Sequence, residues 1–261
     1  MTTTILAASE DGFHPPGPAD FLLPPIVAGI TKPMLLLVLA AVIVGGFFVL
    51  SARKQAIVPG RLQYAGEVAY GFIRNQLARE MIGSQDYLRF VPYLVTLFFF
   101  LLVNNLYGIV PFIQFPTFSH VSFVYPLAAI SWVVYNAVGI GRKGFLGYLK
   151  HQTVTPGVSP VILPVLIPLE FVSNIVVRPI TLALRLFANM FAGHLVLALF
   201  AIGGEYLLLH SDNLLYAPVG IVSMLLDIVL YFLELLVIVL QAYIFTLLTA
   251  NYISGALAEE H

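Results

Sequence analysis

Apolar residues gather in five long blocks, and the polar stretches between them are short. The first three blocks, at residues 33–50, 91–110 and 121–140, are each about twenty residues, or ~30 Å as helix, the thickness of a bilayer core. The other two, at 158–209 and 214–257, each run beyond forty residues. As single helices they measure ~65–75 Å, roughly twice the hydrocarbon thickness. Each must either turn back midway or lie steeply tilted, at roughly 60° against the usual ~20°. A turn needs glycine or proline, yet residues 225–251 hold neither and Gly193 stands alone near the middle of the earlier block. The pattern therefore predicts two long, strongly tilted helices at about 160–208 and 214–257, joined by the polar stretch 205–218. Residues 51–90 are mixed. Leu62, Val68, Ala69, Phe72, Ile73 and Leu77 recur near helical spacing, with Arg61, Glu67, Arg74 and Arg79 on the polar side. That suits a helix lying on the membrane surface, although a loop with a short helix fits the pattern equally well.

Composition sharpens this reading. Of 261 residues, 60% are hydrophobic and 10% charged, against about 45–50% and about 25% in soluble domains; mean hydropathy is +0.96. The predicted class is an all-α membrane protein: three transmembrane helices, a cytoplasmic surface helix and a C-terminal hairpin of two tilted helices. There is no cysteine, which excludes disulfides and thiolate metal sites. A net charge of −1 gives no electrostatic case for nucleic acid. Nine of the twelve basic residues fall in two connections: Arg53, Lys54, Arg61, Arg74, Arg79 and Arg89, then Arg142, Lys143 and Lys150. The positive-inside rule puts both in the cytoplasm, the N-terminus outside and the C-terminus inside. Residues 1–31 are acidic and proline-rich and lack a basic signal-peptide start, so they read as an extracytoplasmic lead-in to one membrane domain at 32–261.

Ionisable groups at membrane depth are functional candidates. Arg185 leads them, because a guanidinium does not shed its proton and costs about 2.5–3.5 kcal/mol at the bilayer centre. Arg178, Thr181, Arg185 and Asn189 form a polar stripe on one helix face, bordered by the small Ala188 and Ala192, while His194 points roughly the other way. Asp227, Glu234 and Gln241 are spaced by seven and share a face of the last helix. A carboxylate in an apolar helix must be protonated, paired or wet, and a histidine exchanges protons near neutral pH. Glu234 beside His194 thus makes a proton relay. Glu170, after Pro164 and Pro168, is placed for access from the cytoplasmic side. Asn104, Asn105 and Asn189 have the plainer alternative of hydrogen bonds between helices, and His194 that of a satisfied core histidine. No phosphate loop, His-Glu-x-x-His pair or catalytic triad appears. Neither a metal nor a cofactor is expected.

The segment RPITLALRLFANMFAGH at 178–194 resembles subunit a of rotary F-type ATP synthases, as do LQAYIFTLLT at 240–249, the Glu-Glu-His terminus and Asn105-x5-Pro111. The resemblance implies that the chain is the static proton-translocating subunit, with no catalysis of its own. Its two tilted helices would lie against a ring of c subunits, beside b-type peripheral stalk subunits and the rest of the complex. Arg185 would face the ring carboxylate and block leakage between two offset half-channels. Gln241 matches a glutamine near that arginine. Asn189, His194 and Glu234 match the outer half-channel, and Glu170 the inner one. His194 and Glu234 stand exchanged relative to many bacterial members, and Gly108 stands where some carry aspartate. Asn105, Asp227 and Arg178 are further candidates along the pathway. The resemblance also implies a bacterial plasma membrane. Two rivals predict otherwise: a secondary ion or anion transporter using Arg185 as its substrate site requires an internal repeat and broken helices, and a scaffold needs no stacked ionisable groups.

Overall fold

The computed structural model describes residues 15–18, 31–53, 56–111, 113–154, 162–210 and 214–258. Most of the 1–31 lead-in and the Glu-Glu-His terminus lie outside them. Within them the protein is helical, without strands. α1 spans Lys32–Ala52, α2 Arg61–Phe72, α3 Glu80–Ile82, α4 Tyr87–Leu106, α5 Val121–Lys143, α6 Phe145–Thr153, α7 Leu163–Phe171, α8 Arg178–Leu209 and α9 Ala217–Leu257. Wide π-helical turns, Ile73–Arg79 and Val172–Val177, join α2 to α3 and α7 to α8. Five helical stretches are long and apolar enough to cross a membrane: Lys32–Ala52, Tyr87–Leu106, Val121–Lys143, Leu163–Leu209 and Ala217–Leu257.

Helix boundaries follow local chemistry. Proline occupies the first turn of α1, α7 and α9, where its missing N–H costs nothing. α5 ends on Arg142 and Lys143, whose charges complement the helix dipole, and then on Gly144 at φ 73°, a conformation glycine adopts without strain. Leu182, Ala183, Leu186 and Met190 of α8 pack with Ile238, Ala242 and Phe245 of α9 against Leu94 and Leu101 of α4 and Val124 and Ala128 of α5. α8 and α9 run antiparallel, for Asn189 meets Gln241, His194 meets Glu234, and Gly204 meets Gly220. At the last crossing a side chain on Gly220 would reach the Gly204 carbonyl at 3.2 Å, so the two backbones approach closely there.

Four expectations are revised. The second span covers Tyr87–Leu106 rather than 91–110, because beyond Asn105 the chain leaves the helix and folds back, with the Phe115 amide bonded to the Tyr107 carbonyl. Phe115, Thr117 and Phe118 of that segment are buried. In the helix after Arg61, Ile73 and Leu77 are buried but Leu62, Val68 and Phe72 are exposed. Apart from Gly66, the buried positions lie in the π turn, whose extra residue per turn resets the register. The fourth block begins its helix at Leu163, and the fifth starts with a 3₁₀ turn at Leu214–Tyr216 before α9. α6 was not expected from the pattern at all.

Candidate functional site

The polar residues of α8 divide between two faces. Arg185 and Thr181 lie on the exposed face with Leu184, Ala188 and Ala192. Thr181 bonds back to the Val177 carbonyl at 2.9 Å, the usual way a hydroxyl is satisfied within a helix. Nothing among the described residues hydrogen-bonds or ion-pairs with Arg185, so none of them neutralises its charge. Arg178 is drawn instead toward α9, 5.2 Å above the Tyr252 ring, a cation–π contact.

The opposite face carries His194, which is buried. Its Nδ1 lies 2.9 Å from the Met190 carbonyl. A carbonyl only accepts, so Nδ1 is the donor in this contact. Buried Glu234 approaches the same nitrogen, Oε1 to Nδ1 at 3.5 Å. Two glycines make room for this pair. A side chain on Gly193 would run into the Glu234 carboxylate, and one on Gly108 into the His194 ring. Three residues before Gly108, Asn105 is fully buried, and neither end of its amide meets a protein partner among the described residues. Asn104 bonds its own helix at the Phe100 carbonyl, 2.8 Å, not a neighbour.

On α9, Gln241 accepts from Asn189 Nδ2 at 2.6 Å while its own Nε2 has no protein partner. Asp227 is half-buried, with Oδ1 likewise unmatched. Tyr231, between Asp227 and Glu234, donates its hydroxyl to the Ile109 carbonyl at 3.0 Å and ties α9 to the segment beside Gly108. Sequence reasoning overlooked Tyr231, although its position three residues before Glu234 placed it on a neighbouring face. Buried polar atoms nearly always find partners, and leaving one without costs about 1–3 kcal/mol. Asn105, His194, Glu234, Asp227 and Gln241 each carry a side-chain atom that meets no partner among the described residues.

Glu170 belongs to a different neighbourhood. It lines an open cavity of about 620 Å³ with Val165, Pro168, Leu169, Ser173 and Val177. Its Oε2 accepts from Asn174 at 3.0 Å. Asn174 was also missed, though its position one turn after Glu170 was the available signal. Among the described residues no group of three or more His, Asp and Glu side chains is arranged to hold a metal ion.

Long apolar helices that bury an acid–imidazole pair while exposing a lone arginine define a membrane protein that handles charge within the bilayer. The chain belongs to the family described as ATP synthase A chain, whose model matches residues 34–254. It is similar to ATP synthase subunit a of a Nocardioides species, 58% identical over 99% of this chain and 98% of the relative. The subunit a of Pseudarthrobacter chlorophenolicus is 49% identical over the full length of both. That of Streptomyces lividans is 42% identical over 99% of this chain and 95% of the relative.

Proposed function

We infer that this chain is the static proton-translocating subunit of a bacterial F-type ATP synthase, working at the seam with a rotating c ring and held by b-type stalk subunits. It catalyses nothing alone. Residues 32–261 form one membrane domain behind an extracytoplasmic lead-in, with the C-terminus in the cytoplasm of a plasma-membrane protein. The α8–α9 hairpin lies steeply tilted against the ring. The observation that carries this reading is Arg185: a permanent cation on an exposed face, with no partner among the described residues, surrounded by small and apolar side chains. Such a charge needs an anion from outside the chain. A ring carboxylate passing in its ionised form supplies one, and the guanidinium keeps protons from crossing directly between two offset half-channels.

The outer half-channel follows these unmatched polar atoms. Protons enter past Asp227 and Asn105, exchange at Glu234 and His194, and reach the ring beside Asn189 and Gln241. The exchanged positions of acid and imidazole keep the chemistry, because one group of each kind remains within 3.5 Å. Protons leave past Glu170 and its open cavity. Arg178, over Tyr252, borders that side. Each charge moved through 100 mV is worth ~2.3 kcal/mol, so a leak past Arg185 dissipates the work of every step. The transporter alternative gains no support, since α8 and α9 are unbroken where a midplane substrate site would need unwound helix.

The test is Arg185→Ala in inverted membrane vesicles. ATP-driven proton pumping is expected to vanish while the subunit remains assembled by immunoblot. Pumping at the native rate would overturn the assignment.

A further inference from the structure

A circuit of hydrogen bonds, closed through the backbone, anchors the Asn174 side chain that binds Glu170. Asn174 Nδ2 donates both to Glu170 Oε2, at 3.0 Å, and to the Gln152 carbonyl of α6, at 2.6 Å, spending both its amide hydrogens. Gln152 Nε2 donates to the Tyr148 hydroxyl at 3.0 Å, and that hydroxyl donates to Asn136 Oδ1 of α5 at 3.1 Å. Asn136 Nδ2 donates to the Trp132 carbonyl at 2.7 Å, and Trp132 Nε1 to the Ile175 carbonyl at 2.8 Å. Ile175 follows Asn174 in the chain, so the circuit closes. Its origin is legible in the backbone. Pro179 has no N–H to give the Ile175 carbonyl four residues earlier, and the Trp132 indole replaces it. Tyr148 and Gln152 are buried. Burial pushes the Tyr148 hydroxyl above its usual range, against smaller lowering effects from Gln152 and Arg178, so it stays a donor. Gly139 leaves the space its ring occupies.

We propose that Asn174, held by Gln152, Tyr148 and Asn136, is a positioning residue that fixes the Glu170 carboxylate at the mouth of its cavity and thereby sets proton exchange on that side. The proposal rests on the reading of Glu170 as an exit-side acid. A fixed carboxylate offers the cavity one oxygen in a constant direction, whereas a free glutamate rotates through several rotamers and lies in place only part of the time. The charged or titratable groups at this end of the packed elements include Tyr148, Lys150 and His151 of α6, Tyr135 and Arg142 of α5 and Arg178 of α8. Glu170 is the acid that the circuit itself grips.

The experiment measures ATP-driven proton pumping by the whole complex in inverted vesicles, where the cytoplasmic side faces the medium and its pH is set directly. Glu170→Gln, Asn174→Ala and Tyr148→Phe are compared with wild type. Tyr148→Phe keeps the ring against Gly139 and removes only the hydroxyl, so it carries the same test if Asn174→Ala fails to assemble. All three are expected to move the pH profile in the same direction, Glu170→Gln most, and Asn174→Gln is expected to recover part of the shift by restoring an amide donor. If Glu170→Gln moves the profile and the assembled variants of Asn174 and Tyr148 do not, the positioning role is wrong. If Glu170→Gln leaves the profile unmoved, the exit-side reading beneath it fails as well, whatever Arg185→Ala does.

Discussion

Gly193 and Gly108 do more for the acid–imidazole pair than their lack of side chains suggests. Each stands where a Cβ would overlap a member of the pair. The spacing of residues foretold that His194 points away from Arg185 and that Glu234 shares a face with Gln241. It did not foretell that both partners need an empty space beside them, because a glycine in a helix reads as a weak point and not as a cradle. A methyl group at Gly193 is expected to displace the Glu234 carboxylate, with an overpacking strain of ~1–3 kcal/mol. Pumping in Gly193→Ala vesicles should therefore fall, and the double variant Gly193→Ala with Glu234→Asp should recover part of it, since aspartate is shorter by one methylene. A double variant no better than either single change would show that the space is not what matters. Arg185 follows a simpler logic: its residue type alone announced its importance, and the structure adds that no acid in the described chain answers it.

Among the elements, α9 and the π turn before α8 teach opposite lessons. The 41 residues of α9 form one unbroken helix, as the lack of glycine and proline from 225 to 251 required. The turn at Val172–Val177 was not legible. Pro179 warned that a carbonyl would be orphaned, but the group that satisfies it, Trp132, lies 43 residues away on α5. Replacing it by Trp132→Phe keeps an aromatic ring and deletes the N–H. The part-buried carbonyl is then left without its partner, at a cost of about 1–3 kcal/mol. Denaturation of the assembled complex, followed by release of this chain, is expected to occur at correspondingly lower denaturant. An unchanged midpoint would mean that water replaces the indole. α6 escaped prediction for a related reason: its nine residues carry weak periodicity, and its position depends on Tyr148 filling the gap at Gly139.

At the scale of the molecule, one side of the α8–α9 pair is packed on α4 and α5 and the other side is bare. Leu184, Leu236 and Leu240 are exposed, whereas Ala183, Leu186 and Ile238 are fully buried. In a membrane an exposed leucine is unremarkable, and only Arg185 distinguishes a protein seam from a lipid-facing surface. The absence of native cysteine makes this testable with a single thiol. Ala188→Cys, on the bare side, is expected to cross-link to another subunit of the assembled complex, while Ala183→Cys, in the core, is expected not to. Reaction of Ala188→Cys with lipid-soluble reagents alone would place that face against lipid. Asp86, just before α4, pairs with Arg142 at the end of α5, at 2.6 Å. Being partly exposed, this pair contributes no more than ~1 kcal/mol, so the helices are held by packing.

Residue order by itself determined the helical class, the five apolar stretches, the length of the last helix and which helices carry ionisable groups within their apolar runs. Each of these depends on interactions within a few turns or on transfer from water, both written locally. Only the tertiary structure decided which polar groups meet: His194 with Glu234, Asn189 with Gln241, and Asn174 with Gln152. Those pairings depend on how deeply one helix sinks against another. That depth is set by glycines and π turns, whose effect appears only when a second backbone arrives.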